Sequence, residues 1–147
     1  MKKLLLIAAI AALALAGCSK SKEPYSDYLG TWKVNRDATR WIKIVLSADK
    51  FFVENSEFNT LTLSGLSWSP CNNNGLDPTT YPVGYRIVGT LTAKTSSELA
   101  PYKANDESTT AAINELAVMY VFLSTDKQSF GFGYKDAALS SLIFIKE

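Results

Sequence analysis

The fold of this chain is constrained most by a succession of short segments that have the composition and spacing of β-strands. Apolar and polar residues alternate within these segments, and turn-forming residues separate them. The segments cover residues 28–34, 41–46, 51–54, 58–68, 85–94, 116–124, 129–134 and 142–146. Because no long helical segments alternate with the strands, a parallel sheet is not expected. About eight short strands joined by turns predict an all-β domain, either a small antiparallel barrel or a sandwich.

The alternation also predicts which side chains face the core. Phe51 and Phe52 are consecutive, so one is expected on each face of their strand. Residues 42–54 are expected to form a hairpin that turns at residues 47–50. The residues expected on one face of the two longest segments are Leu61, Leu63, Leu66, Tyr85, Ile87, Gly89 and Leu91.

Two stretches lie outside this simple pattern. Residues 69–82 contain three prolines, three asparagines and a glycine, which predicts the longest loop of the chain, and long loops are often functional or mobile. Residues 106–123 are open to two interpretations. Asp106 and Glu107 are suited to cap a short helix beginning near Thr110, whereas residues 118–123 are rich in β-branched and aromatic residues. We expect a strand from Leu116 to Ser124, with at most one short helix in the domain.

The N-terminus has the layout of a secretory signal peptide. Lys2 and Lys3 are followed by an apolar segment and then by the small residues Ala16 and Gly17. The run Leu15-Ala16-Gly17-Cys18 resembles the lipobox of bacterial lipoproteins. The resemblance implies that residues 1–17 are cleaved off and that Cys18 carries a diacylglycerol and a third acyl chain such as palmitate. The alternative, an uncleaved anchor helix, needs roughly 20 apolar residues, and the apolar segment is shorter.

The residues after the signal peptide predict a lipid-anchored domain. Residues 18–24 are expected to be the lipidated cysteine and a polar tether, and residues 25–147 the folded domain. In lipoproteins of bacteria with two membranes, serine at the position of Ser19 implies sorting to the outer membrane, and the acyl chains on Cys18 make that membrane a partner. The sequence leaves open whether the domain lies on the periplasmic or the surface face.

The first strand carries a second resemblance. Gly30-Thr31-Trp32 resembles the Gly-x-Trp signature of lipocalins and lipocalin-like domains. The preceding Tyr28-Leu29 and the hairpin at residues 42–54 resemble the opening of small bacterial lipoproteins of that kind. The resemblance implies a lipocalin-like β-barrel in which Gly30 and Trp32 are structural and Trp32 fills one end. The family also has an arginine near the end of its barrel, and this chain has Lys135 and Lys146 in that region.

Composition excludes several classes of function. The chain has no histidine, so it lacks the commonest general base and the commonest zinc ligand. Its 15 basic and 14 acidic side chains nearly balance, and no basic stripe is present, so nucleic acid is not an expected partner. Once Cys18 is acylated, Cys71 has no cysteine in the chain to pair with. We interpret it as an inert thiol, with intermolecular pairing as the alternative.

The short motifs that suggest chemistry are incomplete. Residues 65–69 begin like a nucleophile elbow but end in Ser69, and no histidine is available as a base. Residues 72–75 resemble a calcium loop but lack its first aspartate and closing glutamate. Asp106 and Glu107 are interpreted as part of a solvated loop or a helix cap. We therefore predict no catalytic residue, no metal site, no cofactor and no enzymatic activity.

These observations favour a membrane-anchored binding module. The first hypothesis is that the barrel holds a small apolar or amphiphilic ligand, with residues 69–82 as the rim or lid of its mouth. The alternative is a protein-interaction module, an inhibitor or accessory subunit in the cell envelope, whose loops make the contact. The sequence assigns no ligand-binding residues for either hypothesis.

Overall fold

The computed structural model of the protein describes residues 23–72, 75–134 and 137–147. The predicted signal peptide, Cys18 and Lys135 lie outside the described residues. Within the described part of the chain, no helix combines the length and the hydropathy needed to span a bilayer.

Nine strands and two single turns of 3₁₀ helix make up the regular structure of the described residues. The 3₁₀ turns are Ser26–Tyr28 and Ser97–Leu99. The strands are β1 (Gly30–Asn35), β2 (Trp41–Leu46), β3 (Lys50–Asn55), β4 (Thr60–Cys71), β5 (Val83–Lys94), β6 (Tyr102–Lys103), β7 (Leu116–Leu123), β8 (Ser129–Tyr134) and β9 (Ala137–Lys146). They form where β-branched and aromatic residues, which pack well on a pleated surface, alternate with polar ones.

Eight of these strands close into an antiparallel barrel. Its order is β1, β2, β3, β4, β5, β7, β8 and β9, and β9 pairs back onto β1. The short β6 lies beside the beginning of β7, with Tyr102 opposite Val118, and β8 pairs with the second half of β7. Closure of the sheet on itself removes its free edges. The fold confirms the prediction of a small lipocalin-like antiparallel barrel of about eight strands.

Inward side chains fill much of the barrel, as the alternation predicts. Phe51 is fully buried, whereas Phe52 on the opposite face is half-buried. The inward face of β5 is also as expected, because Tyr85, Ile87 and Leu91 are buried. The largest fully buried side chains are Trp32, Ile44, Phe51, Leu61, Leu63, Ile87, Leu91, Val118, Met119, Val121, Phe130 and Phe144.

β4 contains an irregularity that keeps its apolar residues inside. The pairing with β5 shifts register between Ser64 and Ser67, and Gly65 has a φ of 66°, which residues with a side chain rarely adopt. The bulge reverses the alternation, so Leu66 and Trp68 pack against the core after Leu63. The strand continues to Cys71, so the connection to β5 spans residues 72–82 rather than the predicted 69–82.

The segment with two interpretations contains the expected strand. β7 runs from Leu116 to Leu123, within one residue of the predicted Leu116–Ser124. Thr110 forms an isolated bridge with Tyr102. Residues 113–114 form a turn, and Asn114 has a φ of 70°. The chain therefore reaches β7 through a turn rather than through a helix beginning near Thr110.

Candidate ligand site inside the barrel

The up-and-down order of the strands gives the barrel two ends with different loops. We call them the plugged end and the cavity end. The plugged end carries the 3₁₀ turn Ser26–Tyr28 and the loops at residues 47–49, 72–82 and 124–128. The cavity end carries the loops at residues 36–40, 56–59 and 95–115.

The plugged end is held by hydrogen bonds around Tyr28. The Trp32 Nε1–H donates to the Tyr28 carbonyl oxygen at 2.8 Å. The Tyr28 hydroxyl donates to the Val83 carbonyl oxygen at 3.0 Å and accepts from the Leu123 amide at 3.2 Å. Burial raises the pKa of the Tyr28 hydroxyl well above its ordinary value. These bonds connect the N-terminal segment to β1, β5 and β7, and so fix the base of the barrel.

Aromatic rings fill the same end. The ring of Tyr25 stacks on Trp68 with centroids 4.4 Å apart, and Tyr85 lies edge-on to Trp68 at 5.9 Å. Trp32 packs edge-on against Phe130 at 4.8 Å. Such aromatic pairs contribute about 0.5–1.5 kcal/mol beyond the burial of their area.

Trp32 and Gly30, the residues of the lipocalin-like signature, lie at this plugged end. Trp32 is fully buried, and the Lys146 ammonium lies over its ring, 5.4 Å from the centroid. A cation in this position is attracted by the negative face of the ring. Gly30 begins β1 with a φ of 131°, a conformation that favours glycine. Both residues therefore have structural roles and do not line the cavity.

The cavity end contains an internal cavity of about 150 Å³. Residues two apart on the same strand share a face, which places Ile42 with Ile44 and Leu142 with Phe144 on its wall. The full lining is Ile42, Ile44, Val53, Leu61, Leu99, Met119, Phe132, Leu142 and Phe144. All nine side chains are apolar, so the wall offers mainly dispersion contacts.

The size of the cavity restricts its occupant. A cavity of about 150 Å³ lined by aliphatic and aromatic side chains stays dry and takes up benzene or xenon. Pockets for drug-sized ligands are larger, about 300–1,000 Å³. The cavity therefore suits an apolar group of about six carbon atoms and excludes a polar head group.

The loop at residues 95–115 covers the mouth of the cavity. Leu99, on the 3₁₀ turn Ser97–Leu99, packs against the core and lines the cavity. The Ser96 hydroxyl caps this turn by accepting from the Glu98 amide at 3.2 Å. Further along, Ala111 is buried in the core, and its amide donates to the Pro101 carbonyl oxygen at 2.7 Å. We call residues 95–115 the lid loop.

Polar contacts on the outer wall anchor the lid loop. The Arg86 Nε–H donates to Glu107 Oε1 at 3.0 Å, and the Arg86 guanidinium also donates to the Ala104 carbonyl oxygen at 2.8 Å. The Tyr120 hydroxyl donates to Glu107 Oε2 at 2.9 Å. Burial, and then the bond to Glu107, raise the pKa of Tyr120. Asp106 accepts from the Ser108 hydroxyl and stabilises the adjacent turn, so the acidic pair at 106 and 107 supports the loop.

The predicted lid at residues 69–82 is at the wrong end of the barrel. This segment contacts the turn between β7 and β8, where the Thr125 amide donates to the Thr80 carbonyl oxygen at 2.9 Å. The Asp77 carboxylate holds the loop by accepting from the Thr79 and Thr80 hydroxyls, and these bonds lower its pKa to about 2. This loop lies at the plugged end, whereas Leu99 of the lid loop lines the cavity.

Cys71 lies at the end of β4, opposite Gly84, and is half-buried. Burial raises the pKa of its thiol to about 11, although the nearby Arg86 acts in the opposite direction. The thiol is therefore protonated at neutral pH, which supports the interpretation of an inert cysteine. Among the described residues, no group of three or more metal-ligating side chains is placed to hold a metal ion.

Sequence reasoning did not identify the residues that matter most at the cavity. Leu99, Met119 and Leu142 come from segments far apart in the chain, and no local pattern distinguishes them from other core residues. The sequence indicates the contact of Arg86 with Glu107 only weakly. Arg86 is a charged residue in the middle of a largely apolar strand, which suggests that it has a charged partner.

The comparisons with known proteins found no match to this chain. No model of a protein family matches the chain, and neither the curated proteins nor the solved structures include one that is similar to it.

Proposed function

We propose that this protein is a lipid-anchored binding module that holds a small apolar ligand, or the apolar part of an amphiphile, inside its barrel. The observation that supports the proposal is the cavity of about 150 Å³ with nine apolar side chains on its wall. A barrel of about eight strands is easily packed solid by its own side chains. A cavity confined to one half of the barrel is therefore a specific feature of this chain.

The proposed anchor sets the orientation of the site. The domain begins at the plugged end, where Tyr25 stacks on Trp68, so a tether from Cys18 leads to this end. The eight residues of β7 span about 26 Å at 3.3 Å per residue. The mouth under the lid loop then points away from the anchoring membrane. We infer that the ligand is exchanged with the aqueous side or with another protein.

Titration with benzene tests the proposal. The barrel is complete within residues 23–147, so the chain from Ser19 is suitable. We expect one saturable site, observed as chemical-shift changes of methyl groups on the cavity wall. Ile42→Trp fills the cavity from β2 and is expected to abolish binding, whereas the control Val45→Trp, on the outer face of the same strand, keeps it. Absence of binding to a folded wild-type protein contradicts the proposal.

One observation favours the second candidate, a protein-interaction module. Phe58, in the turn between β3 and β4 at the cavity end, is 75% exposed and has a φ of 60°. Residues other than glycine that are held on strained backbone cluster at binding and switch sites. Under this candidate, Phe58→Ser loses a stoichiometric partner that copurifies with the wild type, and Val45→Ser retains it. Copurification unaffected by Phe58→Ser contradicts this candidate.

A further inference from the structure

The barrel closes between β1 and β9 through a short contact. β1 pairs with β2 along all six of its residues but pairs with β9 at only two positions. These positions are Trp32 opposite Lys146 and Lys33 opposite Ile145. Toward the plugged end, the Thr31 carbonyl oxygen also accepts a hydrogen bond from the Glu147 amide at 2.9 Å. Toward the cavity end, the described pairings give no β9 partner to Val34 and Asn35. We call this junction the seam.

An open cleft of about 520 Å³ lies along the outer side of the seam, lined by residues 33–35, 143 and 145–147. On β9, Ile143 and Ile145 line the cleft, and they alternate with Leu142 and Phe144, which line the internal cavity. The cleft and the cavity therefore lie on the two faces of one strand.

β1 brings the two spaces together from the other side of the seam. Val34 lines the cleft and packs against the core, and it lies opposite Ile42, which lines the cavity. Continuation of the register would place Val34 opposite Phe144, but no strand pairing joins them. Side chains alone therefore separate the cleft from the cavity at this position.

Several other parts of the barrel are held more firmly. β4 and β5 pair at nine positions, and the plugged end is fixed by the hydrogen bonds of Tyr28. The lid loop inserts Leu99 and is tied to Arg86 through Glu107. A chain-like ligand that crosses the wall beside Val34 breaks no strand pairing between β1 and β9.

The charges in the cleft indicate the kind of head group that it accepts. The Lys33 ammonium lies 3.9 Å from the Glu147 carboxylate. Lys146 also lines the cleft, but its ammonium lies over the Trp32 ring. Asn35 adds an uncharged amide. With both signs of charge present, an uncharged group that donates and accepts hydrogen bonds fits better than an ion. A hydroxyl-bearing head has this chemistry.

We propose that the cleft and the cavity form one two-part site for an amphiphile with a single short apolar chain and an uncharged, hydroxyl-bearing head. The chain, about six carbons long, lies in the cavity and passes between Val34 and Phe144. The head lies in the cleft beside Lys33 and Asn35. This inference rests on the proposed ligand-binding function and adds the second half of the site.

Two disulfides of the chain from Ser19, each in a Cys71→Ser background, provide the test. The seam disulfide joins Lys33→Cys to Ile145→Cys, and the control disulfide joins Lys43→Cys to Glu54→Cys. Both pairs lie opposite each other on antiparallel strands, within reach of a disulfide. Each also breaks one surface ion pair, but the seam variant loses only Lys33 whereas the control loses both Lys43 and Glu54. The reduced form of each variant therefore serves as its own charge control. The seam disulfide holds the strands together at the last paired position.

The probes are benzene and n-hexyl glucoside, with affinities from calorimetry on oxidised and reduced protein. We expect benzene to bind every form equally, because it fits within the cavity. Hexyl glucoside is expected to bind the oxidised seam variant about tenfold more weakly than the control variant, and reduction restores its affinity.

The outcomes separate this inference from the function on which it rests. Equal affinity of hexyl glucoside for both oxidised variants overturns the two-part site, and so does its failure to bind wild type that binds benzene. Failure of benzene to bind folded wild type instead contradicts the proposed function.

Discussion

The two ends of the barrel are built from the same strands but are filled in different ways. At the plugged end, large aromatic rings stack, and the polar atoms of Trp32 and Tyr28 bond to backbone atoms of other segments. At the cavity end, aliphatic side chains and the rings of Phe132 and Phe144 face one another and leave a volume of about 150 Å³. Rings with a polar atom pack into one geometry because that atom needs a partner. Aliphatic chains and phenylalanine rings have no such requirement.

The two ends therefore have different proposed roles. The plugged end adjoins the proposed tether and needs rigidity. The cavity end is covered by a loop whose anchors are side-chain contacts such as Arg86 with Glu107, and its interior has unfilled volume. Packing defects cost stability, so the unfilled volume supports the proposal that this end holds a ligand.

The largest effect is expected from breaking the plugged end at Trp32. Trp32→Ala removes a fully buried ring and is expected to lower the free energy of unfolding by about 3–5 kcal/mol. Leu99→Ala at the cavity end is expected to cost about 1 kcal/mol, since this side chain is only partly buried. Urea unfolding of both variants measures the comparison, and equal losses contradict the difference between the ends.

Tyr28 gives the next largest effect. Tyr28→Phe leaves the Val83 carbonyl and the Leu123 amide without their partner and is expected to cost about 1–3 kcal/mol. Burial holds the pKa of Tyr28 above its ordinary value of 10.0. Because the folded pKa is higher than the unfolded one, this stabilisation is complete below pH 10.0 and is lost as the pH rises above it.

The pH dependence provides the control for that prediction. The unfolding free energy of wild type is expected to fall more steeply above pH 10.0 than that of Tyr28→Phe. Tyr25→Phe keeps its ring on Trp68 and is expected to retain the wild-type slope. Identical slopes for wild type and Tyr28→Phe argue against a buried hydroxyl at this position.

A smaller effect is expected at the anchor of the lid loop. Glu107→Gln weakens a partly exposed ion pair with Arg86 and is expected to cost about 0.5–1 kcal/mol. Hydrogen exchange of the amides at residues 104–110 is expected to become faster, while exchange in β1 is unchanged. Glu54→Gln removes a comparable pair with Lys43 and should leave the lid loop unaffected. Faster exchange throughout the barrel argues against a separate lid.

The smallest effect is expected at Cys71, where β4 ends at the plugged end. Cys71→Ser is expected to change stability by no more than about 0.5 kcal/mol. Burial raises the pKa of the Cys71 thiol to about 11, so its alkylation rate in wild type should keep rising up to that pH. A rate that levels off near neutral pH shows that the thiol is activated.

The sequence predicted the features that depend on local periodicity. The inward faces of β3 and β5 follow from a period of two that is visible in Phe51–Val53 and in Tyr85–Leu91. The resemblance at Gly30 and Trp32 likewise placed Trp32 in the core. The bulge at Gly65 was not predicted, because an extra residue in one strand becomes apparent only against its partner.

The cavity could not be predicted, because it depends on the sum of side chains from several strands. Leu61, Met119 and Phe144 are each ordinary core residues, and only their arrangement leaves space. The same limit explains the error about residues 69–82. The order of strands places that loop at the end where the chain enters the barrel. Strand order does not show which end contains the cavity, because side-chain packing determines that.

Binding of xenon to crystals of the chain from Ser19 tests the central claim most directly. A hollow cavity end and a filled plugged end predict one xenon site, among Leu61, Met119 and Phe144, and none beside Trp32. Xenon is suited to this test because it occupies dry apolar cavities of about 150 Å³. Absence of xenon from the barrel, or its presence at the plugged end, contradicts the account.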